Sequence, residues 1–410
     1  MLRSMYSGIG GLRNFQTKLD VIGNNIANVN TFGYKKGRTT FKDMMNQQVA
    51  GASAATDNRG GTNPMQVGLG GSMASIDTIA TQGSLQTTGR SLDLGISGDG
   101  YFTVNRGNQQ FYTRAGNFYL DNNGTLVSAD GMKVQGYPVD DQGNVSNNLG
   151  DITVSTNAVM PTTETKNLTL EGNLPTQAKV GSKMTQQVKM VAKDGNEYSV
   201  DVMYVNTAED KWDVFIGKAV EDYNAGTSTT ATFKIDLSSL PTSNPTALTN
   251  FDIDGDTTAT TDDKINNLNI DITSLTKGGG SINVVAKADG YTQGSLESFN
   301  IGSSGEINGV FSNGQVVTLA NLAIATFSNN GGLSKAGNNL YQESINSGPA
   351  NISTPGDGRG TVAGGSLEMS NVDLSEEFTE MIVAQRGFQA NTRIITTSDE
   401  ILQELNNLKR

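Results

Sequence analysis

Three observations predict a mainly β fold with an α-helix at each end and a second β domain inserted into an outer one. Apolar residues keep a seven-residue helical frame near both termini. Between them the period switches to alternation, with turn residues recurring about every 8–12 positions. A stretch near residues 160–285 carries strands of its own between a Pro/Thr-rich and a Gly-rich border, as an insertion does. The expected division is residues 1–30 with 370–410 as the helical ends and 31–70 as a connector. Residues 71–158 with 288–369 form the outer β domain, and 159–287 the insert.

The N-terminal stripe runs Leu2, Met5, Ile9, Leu12, Leu19 and Ile26, with gaps at Gln16 and Gly23. Gly8, Gly10, Gly11 and Gly23 each weaken this helix by about 0.5–1 kcal/mol relative to alanine, which a lone helix of this length does not absorb. Asparagines then crowd its end. Asn24 and Asn28 fall opposite Ile22 and Ile26, and Asn30 and Gly33 are both suited to the left-handed conformation that ends a helix. On the residues alone this is an Asn-rich helix C-terminus. Lys35, Lys36 and Arg38 read as a solvated loop. Residues 46–63, NQQVAGASAATDNRGGTN, are too small and polar for a core and read as an extended or mobile connector.

The outer domain reads as hairpins over 101–139 and 298–327, the latter with Asn-Gly pairs suited to tight turns. The insert reads as strands around Asp194-Gly195, with Trp212, the only tryptophan, in its core. The C-terminal stripe is Leu374, Phe378, Met381, Phe388, Ile395 and Leu402, opened by an Asp373/Glu376 capping box. Lys409 and Arg410 suit the negative end of the helix dipole. Ile394, Ile401, Leu405 and Leu408 widen the apolar arc until it calls for more than one neighbour. Two readings stay open: an intramolecular helix hairpin, or a self-assembly element whose outer face other copies bury.

Composition narrows the function. Lys plus Arg total 29 against 41 Asp plus Glu, so the net charge of −12 disfavours nucleic acid and anionic membrane as partners. With no histidine and no cysteine, the common triads, thiol nucleophiles and zinc sites have no ligands or bases, and neither an enzyme nor a cofactor is expected. Asp252, Asp254, Asp256 and Asp263 resemble an acidic calcium loop, but its glycine falls at position 4 and its last residue is Asp, so a solvated loop is the expectation. No run nears the roughly 20 apolar residues of a membrane span, and the N-terminus lacks the h-region of a cleaved signal. An adhesin-like binding module and a carboxylate-only glycan enzyme are the competing classes.

The stretch NNIANVNTFGYKK, residues 24–36, resembles the signature of bacterial flagellar rod and hook proteins. Residues 81–104 and 370–391 look like two further blocks of that family, in the same order. The resemblance implies a structural subunit whose terminal helices pair as a coiled coil lining a channel, with β domains outside. The large insert favours the hook type over the shorter distal rod type. Implied partners are further copies of the chain, the distal rod protein, the hook cap, the hook–filament junction protein and the flagellar type III export apparatus. The implied role is a flexible hollow polymer outside the cell, a universal joint carrying torque from rod to filament. The motif residues Asn24, Asn25, Asn28, Asn30, Thr31, Gly33 and Tyr34 become a subunit contact at a hinge, and the two stripes become subunit interface. The helical ends are expected to be disordered before assembly.

Overall fold

The computed structural model describes all residues except 1, 56, 58, 108, 141–143, 156–157, 177, 227, 238–247, 249–250, 253–263, 266–267, 357 and 408–410. The chain divides into two compact units. The first comprises Met1–Ser155, Phe299–Gly309 and Val317–Arg410, and the second Thr156–Ser298 and Val310–Val316.

In the first unit α1 (Leu2–Ala27) packs along α3 (Leu374–Asn407). The seam is one residue out of register with the apolar frame. On α1 it follows Gly8, Gly11, Phe15, Lys18, Ile22 and Asn25, a 3–4 spacing. A methyl group at Gly8 or Gly11 would meet Ile395 or the Asn391 amide, and one at Gly387 would press on the Phe15 ring. The helix glycines therefore set how closely the two backbones approach. Met5, Ile9, Leu12, Leu19 and Ile26 are half-buried beside the seam, and the Leu2 side chain lies outside the described residues.

On α3 the expected stripe caught only one of two seam rows. Met381, Ile395 and Leu402 are half-buried, whereas Leu374, Phe378 and Phe388 are 39%, 50% and 36% exposed. The second row is Glu377, Ala384, Asn391 and Ser398, whose small or polar side chains an apolar search passes over. Exposed Ile382, Val383, Ile394 and Ile401 extend the apolar surface around the helix. Asp373 caps α3 as expected, accepting from the Ser375 N–H at 2.8 Å. Glu376 does not complete a capping box; its carboxylate goes to Lys36 Nζ at 2.7 Å. The side chain of Leu405, and all of Leu408, Lys409 and Arg410, lie outside the described residues.

The expected connector is instead a paired arm. Gly37–Asp43 runs antiparallel to Gly71–Thr78, Asn46–Ala50 to Met65–Gly68, and a Ser53–Thr62 bridge continues the ribbon. The small polar composition does exclude a core, and the residues of 41–50 are all exposed. A backbone ladder needs no core, which the composition argument overlooked.

The hairpins expected over 101–139 form. Tyr101–Arg106 pairs with Gln109–Thr113 and, on its other side, with Lys133–Pro138. The ladder continues from Gln109–Thr113 to Leu340–Gln342 and Ser334–Gly337. Beneath it Tyr101, Tyr112, Phe327 and Tyr341 stack edge to face, with centroids 4.8–5.8 Å apart.

The second unit is a β domain with two four-stranded sheets. Lys183–Val191, Glu197–Ala208, Lys211–Ile216 and Phe233–Asp236 form an antiparallel meander, turning at Gly195 with φ 81°. Asn167–Pro175 joins two parallel partners and the antiparallel Asn283–Ala288. Trp212 is fully buried in the shared core, as expected. The unit also holds α2 (Lys218–Ala225), a short helix absent from the all-strand expectation. Asp254, Asp256 and Asp263 of the acidic loop lie outside the described residues, as does the side chain of Asp252. Among the described residues no helix is long and apolar enough to cross a membrane, and no acidic group gathers as a metal site.

Candidate functional site

The helix pair, the root of the arm and the outer β strands meet at the asparagine motif. Its centre is Asn25, which is buried. The Asn25 amide copies a strand neighbour. Its Nδ2 donates to the Gly37 carbonyl at 2.9 Å while its Oδ1 accepts the Gly37 N–H at 2.9 Å. The same Nδ2 reaches Glu377 Oε2 on α3 at 3.1 Å, and Tyr34 donates to Oδ1 at 3.2 Å. One side chain thus ties α1 to the arm and to α3.

Asn24 and Asn28 lie on the other face, as their spacing predicts, but their amides are used within the chain. Asn28 Nδ2 donates to the Asn24 carbonyl and to Asn24 Oδ1, both at 2.9 Å, and Tyr34 donates to Asn24 Oδ1 at 2.9 Å. Thr31 Oγ1 donates to Asn28 Oδ1 at 3.1 Å. Gly33 takes the left-handed conformation at φ 71°, and a Cβ there would strike the Arg114–Ala115 backbone. Asn30 does not adopt it; in the turn after Ala27 the Thr31 N–H donates to the Asn28 carbonyl at 3.1 Å.

The basic run is not a solvated loop. Lys35 is 1% exposed and pairs with Glu368 Oε1 at 2.6 Å, while Arg114 Nη1 meets Glu368 Oε2 at 3.1 Å. The charge-run reading fails because it counts neighbours in sequence, whereas Glu368 comes from the far end of the chain. Lys35 Nζ also donates to the Thr81 carbonyl at 2.8 Å, and the Gly83 N–H to Glu368 Oε1 at 2.9 Å, so both oxygens of Glu368 and the Lys35 ammonium are engaged. Only Arg38, paired at 3.6 Å with Asp77, keeps the solvated character expected of all three. Asn371 completes the junction, accepting the Lys36 N–H at 2.8 Å and donating to the Ile79 carbonyl at 2.9 Å.

Burial sets the proton affinities here. It pushes the Lys35 ammonium below its ordinary pKa, against the pull of Glu368. It raises the Glu377 carboxyl, against the Asn25 hydrogen bond and Lys36, with Glu380 and Glu376 adding to the rise. Tyr34 is raised by burial and by Glu377. Sequence reasoning named Asn25 but passed over Glu368, Arg114, Asn371 and Glu377. The available signal was an isolated charge between two apolar residues, at Leu367-Glu368-Met369. The chemistry of the junction is that of a clasp: amides, backbone groups and compensated charges.

Comparison with known proteins follows the same blocks. Residues 5–35 match the family described as flagella basal body rod protein, 95–170 the flagellar hook protein FlgE/F/G D1 domain, and 363–408 the flagellar basal body rod FlgEFG protein C-terminal family. The chain is 39% identical to flagellar hook protein FlgE of Borreliella burgdorferi, with all of both chains covered. It is 35% identical to that of Salmonella typhimurium over 99% of this chain and 100% of the relative. Flagellar basal-body rod protein FlgG of Bacillus subtilis is also 39% identical over the whole of both chains, so the insert does not by itself separate hook from rod. In fold, the chain resembles the crystal structure of Helicobacter pylori flagellar hook protein FlgE2. The TM-score is 0.51 and identity 14%, covering 69% of this chain and all of that one. Full-length identity above a third, through the helical ends, the junction and both β regions, places this chain in the flagellar hook and rod protein family, on its hook side.

Proposed function

We propose that the chain is a structural subunit of the flagellar hook, and that copies join through apolar surface that its own helix pair leaves uncovered. One observation carries this reading. Phe378, Ile382, Val383, Ile394 and Ile401 are exposed on both flanks of α3, around a seam made largely of small and polar residues. Burying each such side chain in a neighbour is worth about 1.5–3 kcal/mol, so a few contacts hold a polymer together. The N-terminal row Met5, Ile9, Leu12, Leu19 and Ile26 lies beside the seam and belongs to the same interface. The resemblance to hook proteins supports a bending, torque-carrying tube that adjoins the distal rod protein, hook cap and hook–filament junction protein. Passage through the flagellar export apparatus to the cell exterior belongs to the same reading.

Phe378→Ser with Ile382→Ser should leave thermal unfolding of the purified subunit within about 1 kcal/mol of the parent, since both side chains are exposed. Electron microscopy under assembling conditions should show long polymers for the parent and none for the variant. Normal polymers from the variant refute the interface. The rod-named relative from Bacillus subtilis favours a second reading, a distal rod subunit. Straight, unbending polymers would select it.

A further inference from the structure

Beside the clasp, α1, the arm root and the strand pair Ser334–Gly337 and Leu340–Gln342 border an open groove of about 600 Å³. Its wall includes Asp20 and Val21 of α1, Ile76 of the arm, and Lys335 and Leu340 of the strand pair. The turn of that pair is fixed by Asn338 and Asn339, both left-handed at φ 49° and 59°. Asn339 Nδ2 donates to the Phe32 carbonyl at 3.0 Å, which anchors the turn to the end of the asparagine motif.

Lys335 is the anomaly of this wall. Its ammonium lies 5.2 Å from the centre of the Tyr34 ring and donates to the Lys35 carbonyl at 3.4 Å. The other lysines of the junction, Lys18, Lys35 and Lys36, each hold a carboxylate at 2.6–2.9 Å. Among the described residues none pairs with Lys335. The residue as a whole is exposed, yet crowding about its ammonium lowers its pKa with no charge acting against that loss. A cation that has given up part of its hydration without a counter-charge is an incomplete contact.

We propose that this groove receives an acidic side chain from a second copy of the chain, its carboxylate pairing with Lys335 Nζ. The inference rests on the assembly reading above and adds where one copy grips the next. Charge favours the occupant: a subunit of net charge −12 presents carboxylates in excess, and copies that repel at a distance gain most where a cation meets one of them at close range. Val21, Ile76 and Leu340 supply apolar wall for the stem of an Asp or Glu. The groove also borders α1, one of the two helices that carry the proposed interface.

Polymers are grown from an equal mixture of unlabelled and heavy-nitrogen-labelled subunits and treated with a zero-length carbodiimide. That reagent condenses an amine and a carboxylate already in contact into an amide, with loss of water. Mass spectrometry of the digest should find Lys335 joined to an Asp or Glu peptide in mixed-isotope pairs. Lys335 Gln and Lys335 Arg variants complete the test. Lys335→Gln should raise the subunit concentration needed for polymerisation roughly tenfold, with Lys335→Arg close to the parent, the scale of one charge-assisted contact. Lys335 unlinked, or linked only within one isotope species as to its own Asp20, overturns the proposal while the polymers themselves uphold the assembly reading. Absence of polymers overturns both.

Discussion

Glu377 stands where two demands conflict: it is buried in the helical seam against Asn25, yet carries a carboxyl that prefers water. Its pKa is raised by burial, with Tyr34, Lys36, Glu376 and Glu380 as the charged or titratable groups nearby and Asn25 as hydrogen-bond partner. The sign follows from linkage. The folded state binds the proton more tightly than the unfolded chain, so the contribution is complete below the unfolded pKa of 4.5 and is lost as pH rises through the folded value. Urea unfolding of the parent should therefore show the first unit gaining stability as pH falls from neutral toward about 4.5, and Glu377→Gln should remove that slope. A parallel slope in both proteins would place the titration elsewhere. Asn25→Ala removes the partner of the Gly37 N–H and carbonyl together, and should cost about 1–3 kcal/mol by the same unfolding assay. Asn24→Ala and Asn28→Ala, on half-exposed or exposed amides, should each cost well under that.

At the scale of elements, the terminal helices show how apolar periodicity can find a helix and still misplace its contact face. The seven-residue frame located α1 and α3 because enough Leu, Ile, Met and Phe recur on it. The seam joins Phe15, Ile22, Met381, Ile395 and Leu402 to Gly8, Gly11, Lys18, Asn25, Glu377, Ala384, Asn391 and Ser398, and the small or polar residues of that second group give an apolar search little to find. Counting glycines as a helix penalty was sound for an isolated helix and incomplete for a pair. Gly387→Ala separates the two effects. Alanine raises intrinsic helicity by about 0.5–1 kcal/mol, but its methyl would press on the Phe15 ring. Thermal unfolding followed at the helix band should show a less stable pair; a more stable one would mean Phe15 swings aside without loss. The arm teaches a related lesson, since a backbone ladder such as Asn46–Ala50 on Met65–Gly68 needs no particular side chains and leaves almost no trace in composition.

For the whole molecule, the order of parts was legible: helix, outer strands, insert, outer strands, helix. Alternation around Asp-Gly and Asn-Gly turns is a local signal, and so is the fully buried Trp212. The clasp between the ends was not legible, because Lys35–Glu368, Lys36–Glu376 and Asn25–Glu377 each join residues more than 300 apart in the chain. The second unit has its own core, independent of the helix pair. Deleting residues 159–287 should therefore leave polymers that form but differ in curvature or stiffness under electron microscopy. Loss of assembly would give that unit a part in the contacts between copies.

The clasp has a further consequence for timing. Lys35 and Glu368 are 333 residues apart, and Asn25 and Glu377 are 352 apart. A chain made from its N-terminus therefore adds 333 residues after Lys35 before that ammonium meets its counter-charge, and α1 waits as long for α3. Loop closure of that span adds to the delay, since contacts distant in sequence form slowly. Until the last segment emerges, α1 has only the arm root to pack on and Lys35 lacks its carboxylate, so the subunit is kept open by the order in which its residues arrive.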